Sequence, residues 1–266
     1  MKIAPSLFEA FAKCPIQCWL RAKGEPPTGS AYAEWVKTQN ESFRAIEAER
    51  LLAEIPEGES ARSPSPDGLK TAKRRLAVDV VAQASSPASS GSVSLPERTP
   101  GETPGQPADG ISAPPPHSAL RTPHSESEAR LHAVERVPSE GRGKAARFIP
   151  IRFIFFHKLT KDDKLLLAFD AFVLGQALGR DIAFGKIIHG DRGCARQSAA
   201  NSEAGANEQD VSPTSAALSR AQPQVTRVKT SALASEVRKR LEKIATLLSS
   251  PAPPDLVLNR HCAECE

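Results

Sequence analysis

Aromatic residues are scarce in this 266-residue sequence, at 5%, and no run of about 20 apolar residues occurs anywhere in it. The first shortage, with 23 prolines and 16 glycines, dilutes any core, so much less than the full length is expected to pack. The second excludes a helix that crosses a bilayer. Met1-Lys2-Ile3-Ala4-Pro5 also lacks the apolar centre of a signal peptide, which points to a cytoplasmic protein with no membrane partner. Excess charge is small: a net +4 and a pI near 8.8 are compatible with a nucleic-acid partner and with many others. Cysteine is too sparse and odd in number for a secreted disulfide framework. The five at 14, 18, 194, 262 and 265 read better as metal ligands in a reducing compartment.

What is present is concentrated at the two ends. Arg260-His261-Cys262-Ala263-Glu264-Cys265-Glu266 holds two thiols at Cys-x-x-Cys spacing, close enough to share one metal centre, and Cys14 and Cys18 lie near the other terminus. Together they predict a clasp joining the chain's ends. Because a thiolate site needs packed surroundings on both sides of its ligands, the stop one residue after Cys265 reads as truncation. Cys14 and Cys18 also fit a plainer role. With Leu7 and Phe11 they fall on one helical face, where free cysteine is an ordinary core residue.

Between the ends, Ser6-Leu7-Phe8-Glu9 has the form of a capping box opening a first helix, which Pro15 disturbs at Cys14. Ser30 begins a longer helix to about Leu52, whose many charges read as a solvated face. Leu76 to Val81 predicts a strand with one carboxylate, Asp79, which is costly there unless paired or exposed. Residues 84–127 and 190–224 are rich in Ser, Pro, Gly and Ala, too poor in apolar surface to offset the entropy of ordering, and are expected to be disordered insertions. Cys194, in the second, reads as an incidental thiol.

Leu131 to Val137 and Phe148 to Phe156 predict strands, the latter apolar on both faces as in a central strand. Arg152 within it needs a carboxylate, which Glu135 or Asp79 could supply. Thr160 caps a helix over 161–178 that is apolar round most of its circumference and stops at Gly179. Ala183 to His189 and Val225 to Lys229 are further strands, and a last helix starts at Ser231. Alternating helices and strands give an α/β class with a mixed central sheet flanked by helices.

This order of parts, with Lys13-Cys14-Pro15, Tyr32-Ala33-Glu34-Trp35 and Asn259 to Cys265, resembles the RecB-like nuclease family of the PD-(D/E)XK fold, in the branch related to the CRISPR-associated iron–sulfur exonucleases. The likeness covers most of 1–266 outside the two insertions. It implies a restriction-endonuclease-like sheet, a DNA partner, and a ribonuclease-H-like domain downstream in a longer chain. It also implies a 4Fe-4S cluster, with Cys14, Cys262 and Cys265 matching three ligands and the fourth expected a few residues beyond Glu266 unless Cys18 substitutes. Nuclease chemistry in this fold takes an aspartate on one strand and Glu-x-Lys on the next, the acids holding Mg²⁺ or Mn²⁺ and the lysine steadying the attacking water. Here the sequence departs from the pattern, because His132, Arg152 and Ile154 occupy those positions. Asp79, Glu135 and Lys158 are the residues that could form a displaced catalytic site.

Two readings follow. One is a nucleic-acid-processing protein with a degenerate RecB-like domain and a structural cluster. The other is an interaction module in which Cys14, Cys18, Cys262 and Cys265 form a complete zinc site without nuclease activity. A third possibility is an α/β domain whose cysteines are merely buried.

Overall fold

The computed structural model describes residues 2–25, 31–71, 74–85, 126–139, 146–190 and 223–257. Its elements are β1 (Lys2–Ile3), α1 (Pro5–Lys13), α2 (Pro15–Ala22), α3 (Ala31–Ala53), β2 (Ser60–Arg62), α4 (Pro66–Thr71), β3 (Leu76–Ser85), β4 (Glu126–Val137), β5 (Arg147–Ile154), α5 (Lys161–Leu178), β6 (Phe184–His189) and β7 (Gln224–Lys229). A 3₁₀ turn (Thr230–Leu233) then leads into α6 (Ala234–Ser249). The strands form one mixed sheet in the order β2-β3-β4-β5-β6-β7. β4 is antiparallel to both β3 and β5, β6 returns parallel to β5 through α5, and β7 runs antiparallel to β6. This is the α/β class with a mixed central sheet flanked by helices that the sequence predicts.

The sheet is covered on both faces. On one, α5 places Leu165, Phe169, Val173 and Leu174 against Val80, Leu131 and Val134, with α1, α2 and α6 packed around it. On the other, Phe43 and Ala48 of α3 pack on Val78, Ala133, Ile151, Phe153 and Ile188. Thr160 caps α5 through a reciprocal capping box with Asp163, and Gly179 ends it in the left-handed conformation at φ 66°. Gly185 permits the close approach of β6 to α5, since a Cβ there would meet the Leu167 side chain at 2.8 Å.

Several expectations need correction. The first helix starts at Pro5, which occupies N1 after Ala4, so Ser6 is no cap; Pro's fixed φ is already helical there. That helix is also two helices, broken at Cys14, whose extended backbone (φ −157°, ψ 123°) ends α1 and precedes Pro15 at the start of α2. β3 extends to Ser85 and β4 starts at Glu126, with Ser85 opposite Glu126, so both edges of the segment read as the first insertion lie in the sheet. Backbone pairing asks nothing of side-chain size there. The start of β4 also pairs in parallel with β1, so the N-terminus forms an additional strand. The remainder of both predicted insertions lies outside the described residues.

Candidate functional site

β3 and β4 break the regular alternation of side chains at one place. Val78 packs on the α3 face and Val80 on the α5 face, and Ala133 and Leu131 are divided in the same way. The cause lies at Asp79, which holds φ at 56°, a left-handed conformation in mid-strand, and the pairing between β3 and β4 skips Asp79 and His132. A non-glycine residue kept there is held by its surroundings. Arg44 of α3 supplies the hold through an ion pair with the Asp79 carboxylate. Asn40, one turn earlier, accepts the Phe155 N–H at 3.0 Å and fixes the chain leaving β5.

His132 stacks on Phe153 and its Nδ1 accepts the Phe153 N–H at 3.0 Å, so the ring proton sits on Nε2. Burial first, then the charges of Arg152 and Arg44, hold its pKa well below the ordinary histidine value. The ring is therefore neutral. Binding a metal through Nε2 would require moving that proton to Nδ1 and giving up the backbone bond.

Glu135 lies on the same face, three positions along β4 from His132 and opposite Leu76 and Ile149, roughly 10 Å away at strand spacing. Its carboxylate is paired with Lys186 of β6. Lys158 stands past the far end of β5. From Ile149, opposite Glu135, to Ile154 is roughly 17 Å of strand, so Lys158 and Glu135 occupy opposite ends of the sheet. Asp79, Glu135 and Lys158 are thus not brought together, and both acids already have protein cations. Among the described residues no group of three or more His, Cys, Asp or Glu is placed to hold a metal ion.

The positions corresponding to the nuclease motif do not converge either. His132 faces α3, whereas Ile154 packs with Leu167, Ile187 and Val228 on the α5 face. Arg152 also turns to α5, where Nε and Nη2 donate to Asp170 Oδ2 at 3.0 and 2.7 Å. The partner of Arg152 is therefore neither Glu135 nor Asp79, because strand alternation aims it at the helix. Burial raises the Asp170 pKa, and Arg152 lowers it by less. A sequence signal for this pair existed: Asp170 is the lone charged residue between Leu165 and Leu178. Arg44 was obscured because it sits among the charges of α3, where Glu47 too is turned inward, at 4% exposure.

Cys14 is half-buried at the N-cap of α2, while Cys18, one turn on, is fully enclosed in the core under α5. Burial pushes the Cys18 thiol up to about 11. Trp19 Nε1 donates to the Ser250 carbonyl at 3.4 Å, which brings the end of α6 beside α2. Cys194, His261, Cys262 and Cys265 lie outside the described residues.

No protein-family model matches this chain, and a search of curated proteins finds no match. Among the described residues no helix is long and apolar enough to cross a membrane.

Proposed function

We propose that this chain is a cytoplasmic nucleic-acid-processing protein whose RecB-like, nuclease-related domain binds DNA without an assembled Mg²⁺ or Mn²⁺ centre, and whose ends are joined by a cysteine-ligated metal. The observation that carries the reading is the composition of the central sheet. β5 contains no glutamate or lysine on either face, and Asp79 of β3 and Glu135 of β4 are neutralised by Arg44 and Lys186. A carboxylate that already pairs with a guanidinium or ammonium would have to release it before binding a divalent ion.

The cysteines support the clasp with Cys14 as its N-terminal ligand. Cys14 is half-buried at the N-terminal end of α2, and the chain leaving α6 passes the same helix through Trp19. Cys14, Cys262 and Cys265 are the residues that would hold a 4Fe-4S cluster, whose contribution when bound is folding free energy at the joined termini. The four-thiolate zinc alternative needs Cys18, which the core encloses.

Gel retardation of labelled DNA in Mg²⁺ or Mn²⁺ tests the function. Retarded DNA of full length supports it. Cleavage that disappears on Asp79→Ala or Glu135→Ala overturns it.

A further inference from the structure

The α3 face of the sheet is not covered to its edge. α3 reaches Ile151, Phe153 and Ile188, but β7 and the start of β6 lie beyond it. Val228 packs inward on the α5 face, so by alternation Val225, Arg227 and Lys229 point the other way, and all three are exposed. The β6–β7 register sets Arg227 directly opposite Lys186 and Lys229 directly opposite Phe184. Arg227 lies over the Phe184 ring at 4.5 Å.

This places three cations and an aromatic ring on two adjacent strands. Like charges facing each other across a ladder are unfavourable. Glu135, reaching across β5, answers the charge of Lys186 alone. Among the described residues neither Arg227 nor Lys229 forms an ion pair, and Arg227 gains the Phe184 ring contact. They stand two residues apart on one strand, about 7 Å, and Arg227 is held in place by its stack on Phe184. Among the described residues the surface therefore carries positive charge that Glu135 alone answers, beside an aromatic ring, the combination that tracks a nucleic-acid backbone.

We propose that the β6–β7 face formed by Arg227, Lys229, Lys186 and Phe184 binds the phosphate backbone of DNA, and that Glu135 restrains this binding by occupying Lys186. The proposal rests on the DNA-binding reading above and assigns it a surface. Each phosphate neutralised contributes about 0.7 to 0.9 to the slope of log affinity against log salt. Losing two contacts therefore lowers the slope by about 1.4 to 1.8, so that affinity varies about tenfold less between roughly 50 and 200 mM salt.

The test is fluorescence anisotropy of a labelled short DNA, single-stranded and duplex, titrated with the full chain across that salt range. Arg227→Glu/Lys229→Glu is expected to bind at least tenfold more weakly at the low-salt end, with the reduced slope. Arg227→Gln/Lys229→Gln gives the same direction with less disturbance of the sheet, and both are checked for a parental thermal melt. Glu135→Gln releases Lys186 and is expected to tighten binding and steepen the slope by about 0.7 to 0.9, an effect that a purely structural role for Glu135 would not produce. Reversing Lys239 and Lys243, exposed on α6 at the opposite face, leaves the slope unchanged. If the parent binds DNA but the Arg227/Lys229 variants keep its affinity and slope, the surface lies elsewhere and this proposal is overturned while the DNA-binding reading stands. If the parent binds neither form of DNA, that reading fails and this proposal with it.

Discussion

Arg152→Met should be the most damaging single substitution in the sheet, and its cost can be worked from the geometry. Asp170 is 2% exposed, receives both Arg152 bonds on Oδ2, and has no hydrogen-bond partner on Oδ1. Removing the guanidinium leaves a carboxylate enclosed by apolar side chains with nothing to compensate it, and such broken pairs cost about 3–5 kcal/mol. Protonation narrows that range from above. From an ordinary aspartate pKa near 3.9, neutralising Asp170 at pH 7 takes about three units at 1.36 kcal/mol each, about 4 kcal/mol. The sign with pH follows. A folded pKa raised above the unfolded one means the folded state holds its proton longer, so stability falls as pH rises from the ordinary aspartate range to the raised value. In Arg152→Met that window widens upward, and the penalty should shrink to about 1.5 kcal/mol at pH 5. Urea unfolding followed by circular dichroism at both pH values measures it. Arg152→Met/Asp170→Asn should recover much of the loss. A single-mutant cost under about 1 kcal/mol at pH 7, or one that does not change with pH, would mean that Asp170 is not left as an uncompensated buried charge.

At Asp79 the backbone favours glycine, so Asp79→Gly should lie within about 1 kcal/mol of the parent, while Asp79→Val, β-branched at positive φ, should cost about 2 kcal/mol in the same unfolding assay. β3 and β4 pair to the ends at Ser85 and Glu126, so replacing residues 86–125 with a two-residue Asn-Gly turn should leave the thermal melt unchanged or raise it, by at most about 3 kcal/mol of loop-closure entropy. For the clasp, anaerobically purified protein extended past Glu266 should be brown and lose iron on Cys14→Ala but keep it on Cys18→Ala; equal loss of zinc from both would favour the four-thiolate site instead.

The fold was legible where sequence periodicity was strong. Leu165 to Leu178 announced the buried helix, Thr160 and Gly179 its ends, and β-branched runs the strands. Short elements escaped, because Lys2–Ile3 and Ser60–Arg62 are strands only by virtue of the partners they pair with, Glu126–Ser127 and Leu76–Val78. The site was legible in its residues more than in its pairings. Asp79 and Arg152 both read as needing partners; Arg152 follows the regular alternation of β5 to Asp170, but the face that each residue of β3 takes depends on φ at Asp79, which no pattern of letters displays. The charges of α3 show the same limit: Arg44 and Glu47 turn inward amid neighbours that do not, and only the packed sheet distinguishes them.

The proposed activity is DNA binding without metal-dependent cleavage. Its most direct test is one anisotropy titration of labelled DNA with nuclease-free protein in EDTA, repeated with Mg²⁺ at equal ionic strength, with the DNA then recovered and sized. Saturable binding of similar affinity in both, weakening as salt rises, with the DNA recovered intact, is the predicted result. Absence of saturable binding, or DNA cut only when Mg²⁺ is present and left whole by Asp79→Ala, would contradict it.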